Sequence, residues 1–221
     1  SIAWEGNAAN PILRLETAEE VRRHTAAALA GRPIPSPQEV CQPSGVPNVI
    51  TLPAPVVFLQ QPGKVTIVYQ RDHQVRHVRL NVPHSTNPAH SWYGESIGHY
   101  EGDTLVVDTV GIDERAPVDG FGTPHTKQLH VVERFHLIEN GAVLEANVRV
   151  EDPGAFTMPW NAIQRYHRVE PGVAENKDAL NPISSSADAG PMLEVACAEN
   201  NDVRFFGEGA LPIPQAGKPD F

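Results

Sequence analysis

At 221 residues and a formal net charge of −10, with 17 lysines and arginines against 27 acidic residues, the chain can bury one sizeable core and lacks the basic footprint of a nucleic-acid binder. No apolar stretch approaches the roughly 20 residues that a membrane-crossing helix needs, and the longest, "VITLPAPVVFL", is broken by two prolines. One globular unit, with no nucleic-acid partner and no membrane insertion, is the expectation.

The first residue is Ser1, and no basic region leading into an apolar segment stands near it, so the chain alone does not choose a compartment. "LETAEEVRRHTAAALAGRP", residues 15–33, predicts a helix: Thr17 with Glu20 forms a capping box, alanines fill the interior, and Gly31 and Pro33 end it. This helix reads as a flanking arm or lid. Residues 32–55 carry seven prolines and predict an irregular wrap rather than sheet interior.

From residue 56 the pattern changes to strands. "VVFLQ" and "KVTIVYQ" flank a tight turn at Gly63, and "VRHVRL" follows as a third strand. "ESIGHY" and "TLVVDTVGI" are joined by the acidic turn "EGD", while "LHVVERFHLI" and "AVLEANVRVED" are joined by "ENG". "WNAIQRYHRV" and a short "MLEVAC" complete eight to nine strands.

Sequential short strands joined by hairpin signals predict an all-β protein. An antiparallel, up-and-down, lipocalin-like (calycin-type) barrel is favoured, with a jelly roll as the alternative. The boundaries read from the chain are 1–55 for helix and wrap, 56–200 for the barrel and 201–221 for a tail, within one unit. Two longer connections, "NVPHSTNPAHSWYG" and "DERAPVDGFGTPHTKQ", are too polar and too rich in Gly and Pro for strands, and loops over a barrel mouth are where function usually sits.

One residue breaks the pattern. Alternation sends Leu129, Val131, Glu133, Phe135 and Leu137 to one face, so a carboxylate stands in an apolar row. Unpaired, Glu133 would be desolvated into a proton-transfer group; paired, it would meet Arg76, which shares the more apolar face of its strand with Val78 and Leu80. His125, after Pro124 in the loop before this strand, is a second proton-transfer candidate, with Asp119 as an orienting carboxylate. Tyr69, Trp92, Tyr93, Phe121 and Trp160 would supply aromatic surface for a pocket or plug the core.

Ten histidines raise a metal reading, through His125, His130 and Glu133 or through His73 and His77. On a strand His130 and Glu133 face opposite ways, which disfavours the first group. No HExxH, paired CxxC, phosphate loop or dinucleotide fingerprint occurs, so no cofactor is expected. "GESIG" has the letters of a nucleophile elbow around Ser96, but a β-hairpin follows where that motif needs a helix. Cys41 and Cys197, far apart in sequence, are compatible with one long-range disulfide or with two unrelated thiols.

Residues 41–202 resemble a family of bacterial proteins that are usually exported. The resemblance rests on "GESIGHYEGDTLVVDTVGI" with Trp92 and Gly94, on Asp119 to His125, on Glu133 to Phe135, on "DP" at 152–153, on "PW" at 159–160, and on Cys197 to Asn200. Tyr100 stands where the family usually has Trp, and "NVP" replaces an Asp-Gly-Arg turn before His84. The resemblance implies a β-rich, periplasmic or secreted protein with Cys41 and Cys197 as disulfide partners, and it brings no settled reaction.

Three functions are therefore expected in order. The first is cofactor-free acid-base catalysis, of isomerase, lyase, hydratase or cyclase type, on a small apolar or aromatic molecule. Glu133 and His125 would exchange protons, Asp119 would orient His125, Arg76 would hold an anionic oxygen, and Tyr69, Trp92, Phe121 and Trp160 would line the ligand site. The second is a non-catalytic small-molecule carrier, with Arg76 and Glu133 as a structural pair. The third is a histidine-ligated metal protein.

Overall fold

The computed structural model describes residues 7–52, 54–70 and 74–168. Within them one sheet of eight strands runs in sequence order: β1 Val56–Gln61, β2 Lys64–Tyr69, β3 Gln74–Leu80, β4 Glu95–Glu101, β5 Thr104–Val110, β6 His130–Ile138, β7 Val143–Glu151 and β8 Trp160–His167. The sheet curls into a half-barrel, with β1 and β8 at its two ends. The all-β expectation and eight of the strands hold; the ninth, "MLEVAC", and the tail lie outside the described residues.

Alternation builds the concave floor. Val65, Ile67 and Tyr69 of β2, Val78 of β3, Leu105 and Val107 of β5, Val131 and Phe135 of β6, and Ala146, Val148 and Val150 of β7 are all buried in one core. Each large aliphatic side chain so buried stabilises by about 1.5–3 kcal/mol relative to exposure. The row read from β6 fails at one end: Leu137 is 58% exposed, because it lies beside the hairpin turn 139–141, past the covered floor.

The expected up-and-down connectivity is broken once. β3 and β4 pair in parallel, through Val78↔Ser96, Arg79↔Ile97 and Leu80↔Gly98, whereas all other neighbours are antiparallel. Parallel neighbours need a crossover of a dozen or more residues, and the polar connection 81–94 supplies it. Close approach here requires glycine: a Cβ on Gly98 would stand 2.7 Å from the Val106 carbonyl oxygen and 2.9 Å from Val78 Cγ1.

The helix α1, Leu15–Leu29, starts two residues before Thr17, and Arg14 precedes it with no side-chain cap. The expected capping box is therefore absent: Thr17 is buried in the first turn with Ala18 and Val21 nearby, and Glu20 bonds Arg23 and His24. Backbone pairing does the anchoring instead. Leu13 bridges Phe156, the Arg14 N–H donates to Ala155 O, and Thr157 N–H donates to Ile12 O.

The proline-rich segment is irregular as expected: residues 32–35 and 40–42 are exposed, whereas residues 44–50 are buried as a plug. The second of its two short helical turns, α2, Asn48–Thr51, brings Val49 and Ile50 with Val46 into the core of the sheet. The Tyr166 hydroxyl on β8 donates to Ile50 O at 2.8 Å, fixing the turn against the last strand. Gly45 permits the approach, since its φ is +71° and a Cβ there would lie 2.5 Å from that of Ala116.

Candidate functional site

Two polar clusters stand on opposite faces of the sheet. The inner one answers the anomaly of Glu133. Arg76 Nη1 donates to Glu133 Oε1 at 2.9 Å, and Nη2 donates to Oε2, with both side chains fully buried. Arg76 Nε donates to Ser96 Oγ at 2.8 Å, Nη2 to Thr109 Oγ1 at 2.6 Å, and Nη1 to Tyr69 Oη at 3.4 Å. Five contacts match the five N–H groups of a guanidinium, so Arg76 has no donor left for another group.

This explains how the charges tolerate burial. Burial alone would lower the Arg76 pKa, and the Glu133 carboxylate and Tyr69 oxygen together outweigh it, raising the group above its ordinary value. Burial pushes the Tyr69 phenol up to about 12, with Arg76 opposing and Glu133 adding to the shift. Of the two roles open to Glu133 in the sequence, the geometry shows the paired one.

The other candidates do not gather around this fork. His125 is buried with both ring nitrogens at backbone carbonyls, Nδ1 2.8 Å from Thr126 O and Nε2 3.1 Å from Asp113 O. The Asp119 carboxylate accepts from Phe121 N–H, Thr123 N–H and the Thr123 hydroxyl, stabilising its own loop. Tyr69 stacks on Tyr93, Trp160 meets Phe156 edge-on, Trp92 carries the Arg115 guanidinium 4.9 Å above its ring, and Phe121 is exposed. The four predicted lining aromatics thus have different neighbours.

The outer cluster is built from residues whose neighbours on the strand face the core. Asp108 lies between inward Val107 and Thr109, His130 precedes inward Val131, and Glu95 precedes inward Ser96. Asp108 Oδ1 is 3.0 Å from His130 Nε2 and 2.8 Å from His84 Nε2. His84 comes from the crossover 81–94, and its Nδ1 is 3.0 Å from Glu95 Oε1. Glu95 also takes the Ser85 N–H and hydroxyl and pairs with Arg79 at 3.0 Å.

An ionised carboxylate can only accept, so Asp108 fixes the His130 proton on Nε2 and leaves the lone pair of the neutral ring on Nδ1. No partner stands at Nδ1 among the described residues, and the side chain is 34% exposed. The hydrogen bond to Asp108 raises the His130 pKa above 6.5, against an opposing contribution from partial burial. Asp108 is in turn lowered: burial works against its charge, but the bonds from His130 and His84 outweigh it.

No family model, curated protein or solved structure matches the chain. The functional reading therefore rests on geometry and chemistry. Among the described residues no group of three or more His, Cys, Asp and Glu side chains is arranged to hold a metal ion. His73 lies outside them, and His77 Nδ1 is 3.2 Å from Thr66 Oγ1. No described helix is long and apolar enough to cross a membrane.

The Asp108–His130 pair gives a pH dependence whose sign follows from the two shifts. His130, raised in the fold, contributes stability that is complete below its unfolded value and is lost as pH rises through the raised one. Asp108, lowered in the fold, contributes above its unfolded value and loses that contribution as pH falls through the lowered one. The pair is strongest between the two folded-state values. Titrating the imidazole by NMR should give a midpoint above 6.5, moving down in Asp108→Asn; an unchanged midpoint in that variant would remove Asp108 as the cause.

Proposed function

We propose that this chain is an exported, lipocalin-like acid-base catalyst of small molecules, of isomerase, lyase, hydratase or cyclase type, working through the Asp108–His130 pair on the outer face. One observation carries the reading: an imidazole held by a carboxylate at Nε2, with no partner at Nδ1 among the described residues and the side chain partly exposed. That is the arrangement of a general base, which typically contributes about 10²–10⁴ in rate. Arg76 and Glu133 are assigned a structural role, because both Glu133 oxygens are taken by Arg76 and Arg76 spends its remaining N–H groups on Ser96, Thr109 and Tyr69.

The elementary step is balanced with these groups alone. A C–H bond beside a substrate carbonyl breaks, its proton passes to His130 Nδ1, and the electron pair moves onto the carbonyl oxygen. In a β,γ-unsaturated carbonyl compound, return of the proton to the γ carbon moves the double bond into conjugation and completes an isomerisation. Export, with Cys41 bridged to Cys197, is part of the proposal and rests on the family resemblance; Cys197 lies outside the described residues.

The test needs no known substrate. The protein is incubated in D₂O with a panel of small ketones and oxo acids, and C–H to C–D exchange is followed by NMR. Exchange above the buffer rate, abolished in a folded His130→Gln variant and unaffected by Phe121→Ala, is expected. Exchange that survives His130→Gln, or a wild-type protein that exchanges none of the panel, overturns the catalytic reading and leaves the carrier as the better description.

A further inference from the structure

The register across the outer face says what kind of molecule His130 would receive. Asp108 on β5 pairs with Val132 on β6, and Val132 with Arg149 on β7. His130 lies two residues from Val132 on the same face and pairs with Glu151, two residues from Arg149. The charges of Glu151 and Arg149 both reach the His130 ring. A cation, the Val132 side chain and an imidazole with one nitrogen open among the described residues therefore stand side by side.

Arg149 is only partly committed. Its Nε donates to Glu151 Oε1, and no described residue accepts from Nη1 or Nη2, while the side chain is 50% exposed. A guanidinium whose Nη groups are open presents a planar fork that matches a carboxylate. On the other side of Asp108 the row continues to Ile97 and Arg79, but Arg79 is paired with Glu95. The open fork is on the β7 side.

We infer that Arg149 is the specificity residue of the outer-face site, which takes small organic carboxylates with their anionic end on the Arg149 fork and their apolar body over Val132, beside His130 Nδ1. The inference rests on the proton-transfer reading of His130 and adds the substrate class. Adjacent strands are about 4.8 Å apart, so Asp108 and Arg149 are separated by roughly two strand spacings. That span suits a single aryl or short acyl carboxylate, and a long chain would overrun it.

The test uses benzoate as probe and benzamide as its uncharged counterpart, with binding read from the His130 ring signals in NMR titrations of the whole chain. Benzoate should shift those signals saturably and benzamide should not. Losing a charge-assisted fork should weaken benzoate about tenfold or more in Arg149→Gln. Arg165→Gln, on the same face but paired with Glu145, should bind as wild type does. Equal binding of benzoate and benzamide, no saturable shift, or an equal loss in Arg165→Gln overturns the inference. The two readings fail separately. Benzoate bound through Arg149 without any deuterium exchange removes the catalysis and keeps the anion site, whereas exchange indifferent to Arg149→Gln does the reverse.

Discussion

Replacing Glu133 with alanine should destabilise the fold by about 3–5 kcal/mol, the range for stranding one member of a buried ion pair. The variant leaves the Arg76 guanidinium fully buried with only Ser96, Thr109 and Tyr69 to accept from it. Three neutral hydroxyls do not balance a cation taken out of water. The double variant Arg76→Met with Glu133→Leu should be less destabilised than Glu133→Ala alone, because no charge is left inside. It keeps a residual cost of about 1–3 kcal/mol, since Tyr69 loses a hydrogen-bond partner in the core. Ser96 and Thr109 retain each other at 3.0 Å. Urea unfolding of the two variants settles the matter: a Glu133→Ala cost under about 1 kcal/mol, or a double variant worse than the single one, removes the structural role of the pair.

Reduction of the proposed Cys41–Cys197 bridge should have an effect of the same order. Such a bridge closes a loop of about 156 residues, for which chain entropy gives roughly 5 kcal/mol as an upper figure. For a chain of this size that corresponds to a fall in thermal midpoint of about 10–20 °C. The loss should be felt at the plug, because Cys41 lies a few residues before Val46, Val49 and Ile50, which fill the concave face. Intact mass under non-reducing conditions should show two hydrogens fewer than the reduced chain. Two titratable thiols in folded, air-oxidised protein would end this prediction and the part of the export argument that depends on it.

Local chemistry made much of the fold legible. The two-residue alternation located the eight described strands, and the turns at Gly63, "EGD" and "ENG" located their hairpins, because these signals act between residues close in the chain. Glu133 was visible as an anomaly for the same reason. Its pairing with Arg76 was readable only as one of two outcomes, since the partners are 57 residues apart and only the sheet brings them together. The parallel β3–β4 pair had no local mark beyond a long polar connection, and the outer cluster inherits that opacity. His84 reaches Asp108 only because the crossover 81–94 folds over that face. Asp108 and His130 did carry a signal: alternation placed both opposite the apolar rows of β5 and β6, where a shared outward side could have been noticed. Thr17 misled because the box motif presumes a free helix end, whereas this one is held by pairing to residues 155–157.

The β3–β4 seam divides the sheet into two antiparallel blocks, β1–β3 and β4–β8, joined by three parallel pairs. The hairpins β1–β2, β2–β3, β4–β5 and β6–β7 are near-neighbour contacts that can form early, while the seam must wait for the crossover 81–94 and the β5–β6 pair for the connection 111–129. Across it, the shared core and the buried Arg76 fork, which begins on β3 and ends on Ser96, Thr109 and Glu133 of β4, β5 and β6, hold the blocks together. The fork is directional where the core contacts are not, so it ties the cooperativity of unfolding to the register of the seam. A slip of β3 by one residue would turn Arg76 to the outer face and leave Glu133 without its counter-charge.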